Sequence, residues 1–356
     1  MSGEATLFVG DALTWLEALE GESVQCCITS PPYYGLRDYG VAGQIGLEKT
    51  PQEYVARLVG VFREMRRVLK ADGTLWVVIG DSYARDARPG YSGKQAYIYD
   101  AGGGRASATL HLMGERNHAP ESGLKPKDLI GIPWMLAFAL RADGWYLRND
   151  IVWAKPGPLP ESVQDRCTRS HEYIFLLAKS ERYYYDAGAI AEPVQTDPRE
   201  NYPARARITG RGDQPAAAAR GNDQGRSGGF PPRVSKSGNK SRRHMSDRGG
   251  YVDGSGDMGS SIPWEGSTRN KRDVWWVGTR ANPWTKGKHF ATFPEALIEP
   301  MILAGSRSGD IVLDPFAGSG TSGAVALRLG RRFQGIELNP EYAAICRRRI
   351  PILEVL

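Results

Sequence analysis

Two short stretches hold residues whose types and spacing could do chemistry. The first is Thr29-Ser30-Pro31-Pro32-Tyr33, directly after the apolar run 24–28. That run has the length and composition of a buried strand. Two consecutive prolines end such a strand and fix its backbone. The turn would present a hydroxyl, rigid carbonyl oxygens and an aromatic face together. Alone, this stretch reads more readily as an ordinary Pro-Pro turn with a surface tyrosine.

The second stretch is Asp314-Pro315-Phe316-Ala317-Gly318-Ser319-Gly320-Thr321-Ser322-Gly323. Gly318, Gly320 and Gly323 match G-x-G-x-x-G between a predicted strand and a predicted helix reaching about residue 329. Glu337 lies 19 positions beyond Gly318, at the end of the next predicted strand, 332–338. Such glycines let a ligand approach the backbone, and such a carboxylate accepts from both ribose hydroxyls. The pattern therefore suits a nucleoside-bearing cofactor, and its spacing admits a dinucleotide such as NAD. Only one further strand follows, whereas a conventional dinucleotide domain needs several downstream. Those strands lie upstream, so the sheet reads as circularly permuted, its first two strands last in sequence.

The elements that must position these residues alternate between strand and helix. Strands are predicted at 6–9, 24–28, 74–79, 146–154 and 172–178, with a shorter one at 183–185. Helices are predicted at 12–19, 51–69, 132–141 and 295–304, and a basic helix closes the chain. Thr50 and Pro51 suit the start of the second helix. Tyr54, Leu58, Val61, Phe62, Met65 and Leu69 line one face of it. Residues 71–73 read as a turn, and 35–46 as a glycine- and tyrosine-rich loop. The expected class is α/β, with a doubly wound, mostly parallel sheet. Two segments break the alternation. Residues 83–123 form a long aperiodic insert. Residues 199–248 carry twelve Arg and Lys against four Asp and Glu, with almost no large apolar residues. Such a stretch does not fold alone; it reads as a solvated linker or as a phosphate-binding arm. The division expected is 1–190 and 274–356 for one domain, with 191–273 a basic linker or recognition region between them.

Composition narrows the function classes. The chain has 356 residues and a formal net charge of +6, which favours an anionic partner. Its four cysteines form no C-x-x-C pair and its histidines are few, so no metal site is expected. A disulfide framework is not expected either. No apolar run reaches the length of a membrane span, and the N-terminus lacks a signal-peptide pattern. A cytoplasmic protein with no membrane partner is expected.

Read together, Asp314 to Gly320 and Thr29 to Tyr33 resemble the motifs of the S-adenosylmethionine-dependent amino-methyltransferases of DNA. The motif order is similar to that of the family's β group. The resemblance covers about 6–186 and 274–350, and implies a Rossmann-like class I methyltransferase fold with a target-recognition insert. It implies S-adenosyl-L-methionine as cofactor, held by Asp11, Phe293, Asp314, Phe316, Gly318, Gly320, Thr321 and Glu337. Asp11 resembles the acid that accepts from the cofactor's adenine amino group. Residues 289–294 resemble a segment that closes over its methionine end. Residues 152–156 and 166–172 resemble the support of the target-base pocket.

Ser30, Pro31, Pro32 and Tyr33 become the catalytic residues. The Ser-Pro-Pro-Tyr form resembles that of N4-cytosine enzymes, with N6-adenine the alternative. The strands ending at Ile28 and Phe316 would be neighbours at the point where strand order reverses, where ligands bind in such sheets. There Ser30 and the carbonyls of Ser30 and Pro31 accept from an exocyclic amine, and Tyr33 stacks on the base. A base in duplex DNA reaches such a pocket only when flipped out. Cytosine-C5 chemistry would need a thiol, and Cys27 reads as core. Expected partners are double-stranded DNA and a cognate restriction endonuclease, for a prokaryotic or phage-encoded monomer or homodimer. Three rivals stay open: a protein-glutamine methyltransferase, a dinucleotide-dependent oxidoreductase, and a non-catalytic DNA-binding protein.

Overall fold

The computed structural model describes residues 4–36, 38–84, 123–158, 160–194, 267–279 and 293–356. The chain divides into two compact units, Met1–Glu192 with Arg269–Leu356, and Pro193–Thr268. Of the second unit only Pro193, Val194, Ser267 and Thr268 are described. The stretch 199–248 and residues 85–122 of the long insert lie outside the described residues.

The strands, in chain order, are β1 (Ala5–Val9), β2 (Val24–Thr29), β3 (Leu69–Ile79), β4 (Tyr146–Ala154), β5 (His171–Ala178), β6 (Glu192–Pro193), β7 (Thr268–Arg269), β8 (Val274–Trp276), β9 (Ile311–Asp314), β10 (Arg332–Glu337) and β11 (Glu354–Val355). The helices are α1 (Ala12–Ala18), α2 (Pro51–Val68), α3 (Ile132–Ala142), α4 (Glu295–Gly305), α5 (Thr321–Arg328) and α6 (Pro340–Arg349). Nine strands form one sheet in the order β11-β1-β10-β9-β2-β3-β5-β4-β8. Its pairs are parallel except those of β5, which runs antiparallel to both β3 and β4. The two strands β9 and β10, late in sequence, thus lie between β1 and β2.

Strand side chains alternate between two cores. Leu75, Val77, Ile79, Phe175 and Leu177 join one; Trp76, Val78, Ile174 and Leu176 join the other. A sheet that is apolar on both faces must be covered on both. Helices α1, α2 and α3 supply the first core; α4, α5 and α6 supply the second. Helix α2 begins as its sequence dictates, with Thr50 Oγ1 accepting from the Glu53 N–H at 3.2 Å and Pro51 in the first turn. Its predicted apolar face, Tyr54 to Met65, is buried.

Two local expectations are corrected. The turn at 71–73 is absorbed into β3, which starts at Leu69, the residue capping α2. A register shift between Val24 and Cys26 accommodates it, and Gln25 Nε2 donates to Asp72 Oδ1 at 3.0 Å. Residues 183–185 form no strand. Their rings face other partners instead: Tyr185 stacks near Trp76, Tyr183 lies against Arg148, and Tyr184 lies under Arg307. Among the described residues, no helix is long and apolar enough to cross a membrane.

The tightness of the second core can be tested at Gly305. A Cβ there would lie 2.7 Å from Cys26 Sγ, 2.8 Å from Thr74 Oγ1 and 3.0 Å from Trp76 Nε1. Gly305→Ala is expected to lose about 1–3 kcal/mol of unfolding free energy in urea. Gly60→Ala, in α2 with nothing within 4 Å, should instead gain about 0.5–1 kcal/mol.

Candidate active site

The two chemistry-bearing stretches meet at the centre of the sheet. Strand β2 pairs with β9 through Cys26–Val312 and Cys27–Leu313. The helix after β9, α5, covers one face, while the helix after β2, α2, covers the other. The carboxyl ends of these neighbours therefore open a crevice at a switch point. Across it, Thr29 Oγ1 donates to Asp314 Oδ1 at 2.7 Å. Ser322 Oγ donates to Asp314 Oδ2 at 2.6 Å and the Phe316 N–H to Oδ1 at 3.1 Å. Asp314 is only 1% exposed. Burial pushes its carboxyl up to about 6, and these three donors oppose the rise.

At the end of β10, Glu337 is also buried. Its Oε2 accepts the Gly318 N–H at 2.7 Å and its Oε1 the Asn339 N–H at 2.8 Å. Burial pushes it up to about 7, against those backbone donors. Both carboxyls bind a proton more tightly folded than unfolded. Each adds stability that is fully present below the ordinary carboxylate range. That stability is lost as pH rises through about 6 for Asp314 and about 7 for Glu337. Even with the Leu338 N–H as a third donor, the roughly four acceptor positions of a carboxylate are not filled, so Glu337 retains capacity for a ligand hydroxyl. The residues present therefore fit a ribose.

The remaining cofactor candidates gather around that carboxylate unevenly. The Gly10 N–H donates to the Glu337 carbonyl at 2.9 Å, which brings Asp11 to the end of the adjacent strand β1. Asp11 also caps α1, with Oδ1 accepting from the Thr14 N–H at 3.0 Å. Gly318 has φ +54°, a left-handed conformation that favours glycine. Gly320 (φ +74°) and Gly323 answer to packing. A Cβ at the first would overlap Cys346 Sγ, and at the second would lie 2.6 Å from the Phe333 ring. The Thr321 hydroxyl accepts from Arg349 at 2.8 Å, and Arg349 also pairs with Glu295 in the first turn of α4. Phe293, two residues earlier, packs half-buried against the second core. Phe316 is half-buried against the first. Residues 289–292 lie outside the described residues.

The Pro-Pro turn is held from several sides. The Tyr54 hydroxyl donates to the Pro32 carbonyl at 2.7 Å, and the Gly35 N–H to the Gly46 carbonyl at 2.8 Å. Pro31 is buried, while Ser30 and Tyr33 are half-buried. The Tyr33 hydroxyl donates to Glu172 Oε2 at 2.8 Å. Burial, then the charge of Glu172, pushes the Tyr33 phenol well up, so it stays protonated. Cys27 is fully buried and its thiol is pushed well up by burial, which bears out its reading as core. Among the described residues, no group of three or more His, Cys, Asp or Glu is placed to hold a metal ion.

Several residues of this site escaped sequence reasoning as individuals. Glu172 pairs with Lys155, each at the margin of an apolar strand; a charge abutting an apolar run is the signal both offer. Asp81, just past β3, accepts the N–H groups of Ser82, Gly131 and Ile132 and so caps α3 from across the long insert. Nothing in its spacing points to that partner.

Comparison with known proteins identifies the family of the chain. The family model for DNA methylases of the N6/N4 type matches residues 24–348. The chain belongs to this DNA methylase family. The type II methyltransferase M.Cfr9I of Citrobacter freundii is 45% identical over 346 residues, covering 97% of this chain and 87% of the relative. Among solved structures, the cytosine-N4-specific PvuII DNA methyltransferase matches with a TM-score of 0.55 at 18% identity, over 98% of this chain and 88% of that one. TTHA0409 of Thermus thermophilus, solved in complex with S-adenosyl-L-methionine, matches with a TM-score of 0.52 at 22% identity, over 99% and 98%. Both structures share the fold of this DNA methylase, a mixed, mostly parallel sheet covered by helices.

The bond that joins the two stretches can be weighed by Thr29→Val. It removes a donor from a buried carboxylate and is expected to cost about 1–3 kcal/mol at pH 8, where Asp314 is ionised. The loss should shrink at pH 5, where the folded protein holds Asp314 protonated. Urea unfolding at both pH values reads this, and equal losses would exclude a charge-assisted bond.

Proposed function

We propose that this DNA methylase modifies the exocyclic N4 of cytosine in double-stranded DNA, as a sequence-specific enzyme of the type II kind. The observation that carries the reading is the Thr29–Asp314 hydrogen bond, which ties a Ser-Pro-Pro-Tyr turn to the glycine turn and its ribose-fitting acid. S-adenosyl-L-methionine, when bound, supplies an electrophilic methyl group on a sulfonium sulfur. Glu337 would accept the ribose hydroxyls and Asp11 would take the adenine amino group, while Asp314, Gly318, Gly320 and Thr321 shape the turn that would hold the cofactor. Phe293 and Phe316 offer rings to the cationic end.

The chain's task at the base is to make a poor nucleophile usable. An amine conjugated into a ring holds its lone pair in the π system. Ser30 Oγ and the carbonyls of Ser30 and Pro31 accept its N–H bonds and let nitrogen pyramidalise. Pro31 and Pro32 carry no N–H, so they hold those carbonyls rigidly and donate nothing in competition. Tyr33 offers its ring to a flipped base. Fixed orientation and fixed dipoles supply the acceleration, with no covalent intermediate. The basic region 191–273 is assigned to target recognition through phosphate contacts, and a cognate endonuclease would share its site.

Nucleoside mass spectrometry of DNA treated with protein and S-adenosyl-L-methionine is expected to show N4-methylcytosine. N6-methyladenine would reassign the target base, and no methyl on either would overturn the reading. Ser30→Ala and Tyr33→Ala should lose at least 100-fold in turnover, on the order of a positioned-group effect, while cofactor binding persists; full turnover in both would remove the turn from the active site.

A second expectation concerns pH. Ribose hydroxyls bond the ionised form of Glu337, which in the free protein takes its proton at about 7. Cofactor affinity should weaken as pH falls below about 7, by up to roughly tenfold per pH unit. Glu337→Gln should bind weakly at every pH, without that slope. Isothermal titration between pH 5.5 and 8.5 reads both, and a flat wild-type profile would dismiss the ribose role.

A further inference from the structure

The ring of Tyr33 is gripped at its far end by a group outside both motifs. Its hydroxyl donates to Glu172 Oε2 at 2.8 Å. The other oxygen, Oε1, is ion-paired with Lys155 Nζ. That ammonium lies 4.3 Å from the centroid of the Trp153 ring, and Trp153 Nε1 donates to the Val277 carbonyl at 2.8 Å. The side chains of Glu172 and Lys155 are 17% and 21% exposed, so water screens their pairing only in part. Beneath the ring lies Gly80, where a Cβ would stand 2.9 Å from Tyr33 Cε2 and 3.2 Å from Glu172 Cγ. Only glycine leaves the two side chains that room.

A tyrosine stacked on a base has two soft coordinates, tilt of its ring and rotation about the ring's long axis. The bond at the hydroxyl fixes the tilt, and the close approach of Gly80 to the ring edge limits the rotation. The same bond has a chemical consequence. The phenol has a single proton, and it is committed to Glu172. Tyr33 then offers a base its ring face and no donor. Lys155 in turn holds Glu172 in place, with its other oxygen turned to Tyr33 as an acceptor.

We propose that Glu172, oriented by Lys155, is a positioning residue that locks the Tyr33 ring in the attitude needed to stack on the target base. The proposal rests on the active-site reading above. It assigns Glu172 no contact with substrate or cofactor.

The test is a double-mutant cycle on Tyr33→Phe and Glu172→Ala, with Glu172→Gln as the conservative variant, in the full chain. A hydrogen bond to a charged group sets the expected size. Tyr33→Phe and Glu172→Ala should each lower kcat by about 10- to 100-fold with little change in KM for S-adenosyl-L-methionine. The double variant should be no slower than the slower single one. Glu172→Gln still offers an oxygen to Tyr33 and should recover most of the loss. Additive losses, or full kcat in Glu172→Ala with only a lowered Tm, would overturn the proposal and leave Glu172 a structural ion-pair partner. The same cycle is measured in urea unfolding free energy. If the wild type methylates no DNA base, the active-site reading falls. Energetic coupling between Tyr33 and Glu172 in unfolding would then still support the lock, and its absence would end it.

Discussion

A buried carboxylate at the junction of two strands organises this molecule. Asp314 stands where β9 and β2 finish side by side, out of reach of water. A charge so placed must be met by donors. Each donor comes from an element that the site needs: Thr29 from the strand entering the Pro-Pro turn, Ser322 from α5, and the Phe316 N–H from the turn between. The carboxylate thus holds the register between a turn early in the chain and one 285 residues later. Hydrophobic burial assembles the sheet, but with both faces apolar it sets the register less sharply than a directed bond does. The 2.7 Å bond from Thr29 to Asp314 is such a bond.

The cost of that device is visible in the two raised carboxyls. Burial favours the protonated forms of both Asp314 and Glu337, yet the ionised Asp314 is the one its three donors meet, and the ionised Glu337 is the form proposed to accept ribose hydroxyls. Their burial works against stability at neutral pH. The two cores on either side of the sheet offset it. Strained electrostatics in the crevice and dense apolar packing beneath it are therefore two parts of one arrangement.

Most of the frame was legible from sequence because it rests on local rules. Apolar runs of strand length, one of them ended by Pro-Pro, marked the strands, and Thr50-Pro51 with its spaced apolar residues marked α2. What escaped was non-local or ambiguous. Residues 71–73 carry turn residues, yet pairing with β2 draws them into the strand. The three tyrosines at 183–185 have strand propensity, but their rings find partners outside a ladder. In the site, residues within the two motifs could be named in advance. Glu172, Lys155, Tyr54 and Asp81 could not be given roles individually, since each acts through a partner 17 to 139 residues away in sequence.

The glycine turn shows why motif and mechanism must be separated. G-x-G-x-x-G invites the inference that every glycine makes way for a ligand. Here Gly320 makes way for Cys346 and Gly323 for Phe333, both on the protein's own side of the turn. Those two glycines would be required by the close approach of α5 to β10 and α6 even in a chain that bound nothing. Gly318 differs, since its N–H is taken by Glu337. The feature that argues for a ligand is accordingly the acid: a nearly inaccessible carboxylate at a strand end, with acceptor capacity that its backbone donors do not fill. A packing turn has no use for such a group, whereas a nucleoside does.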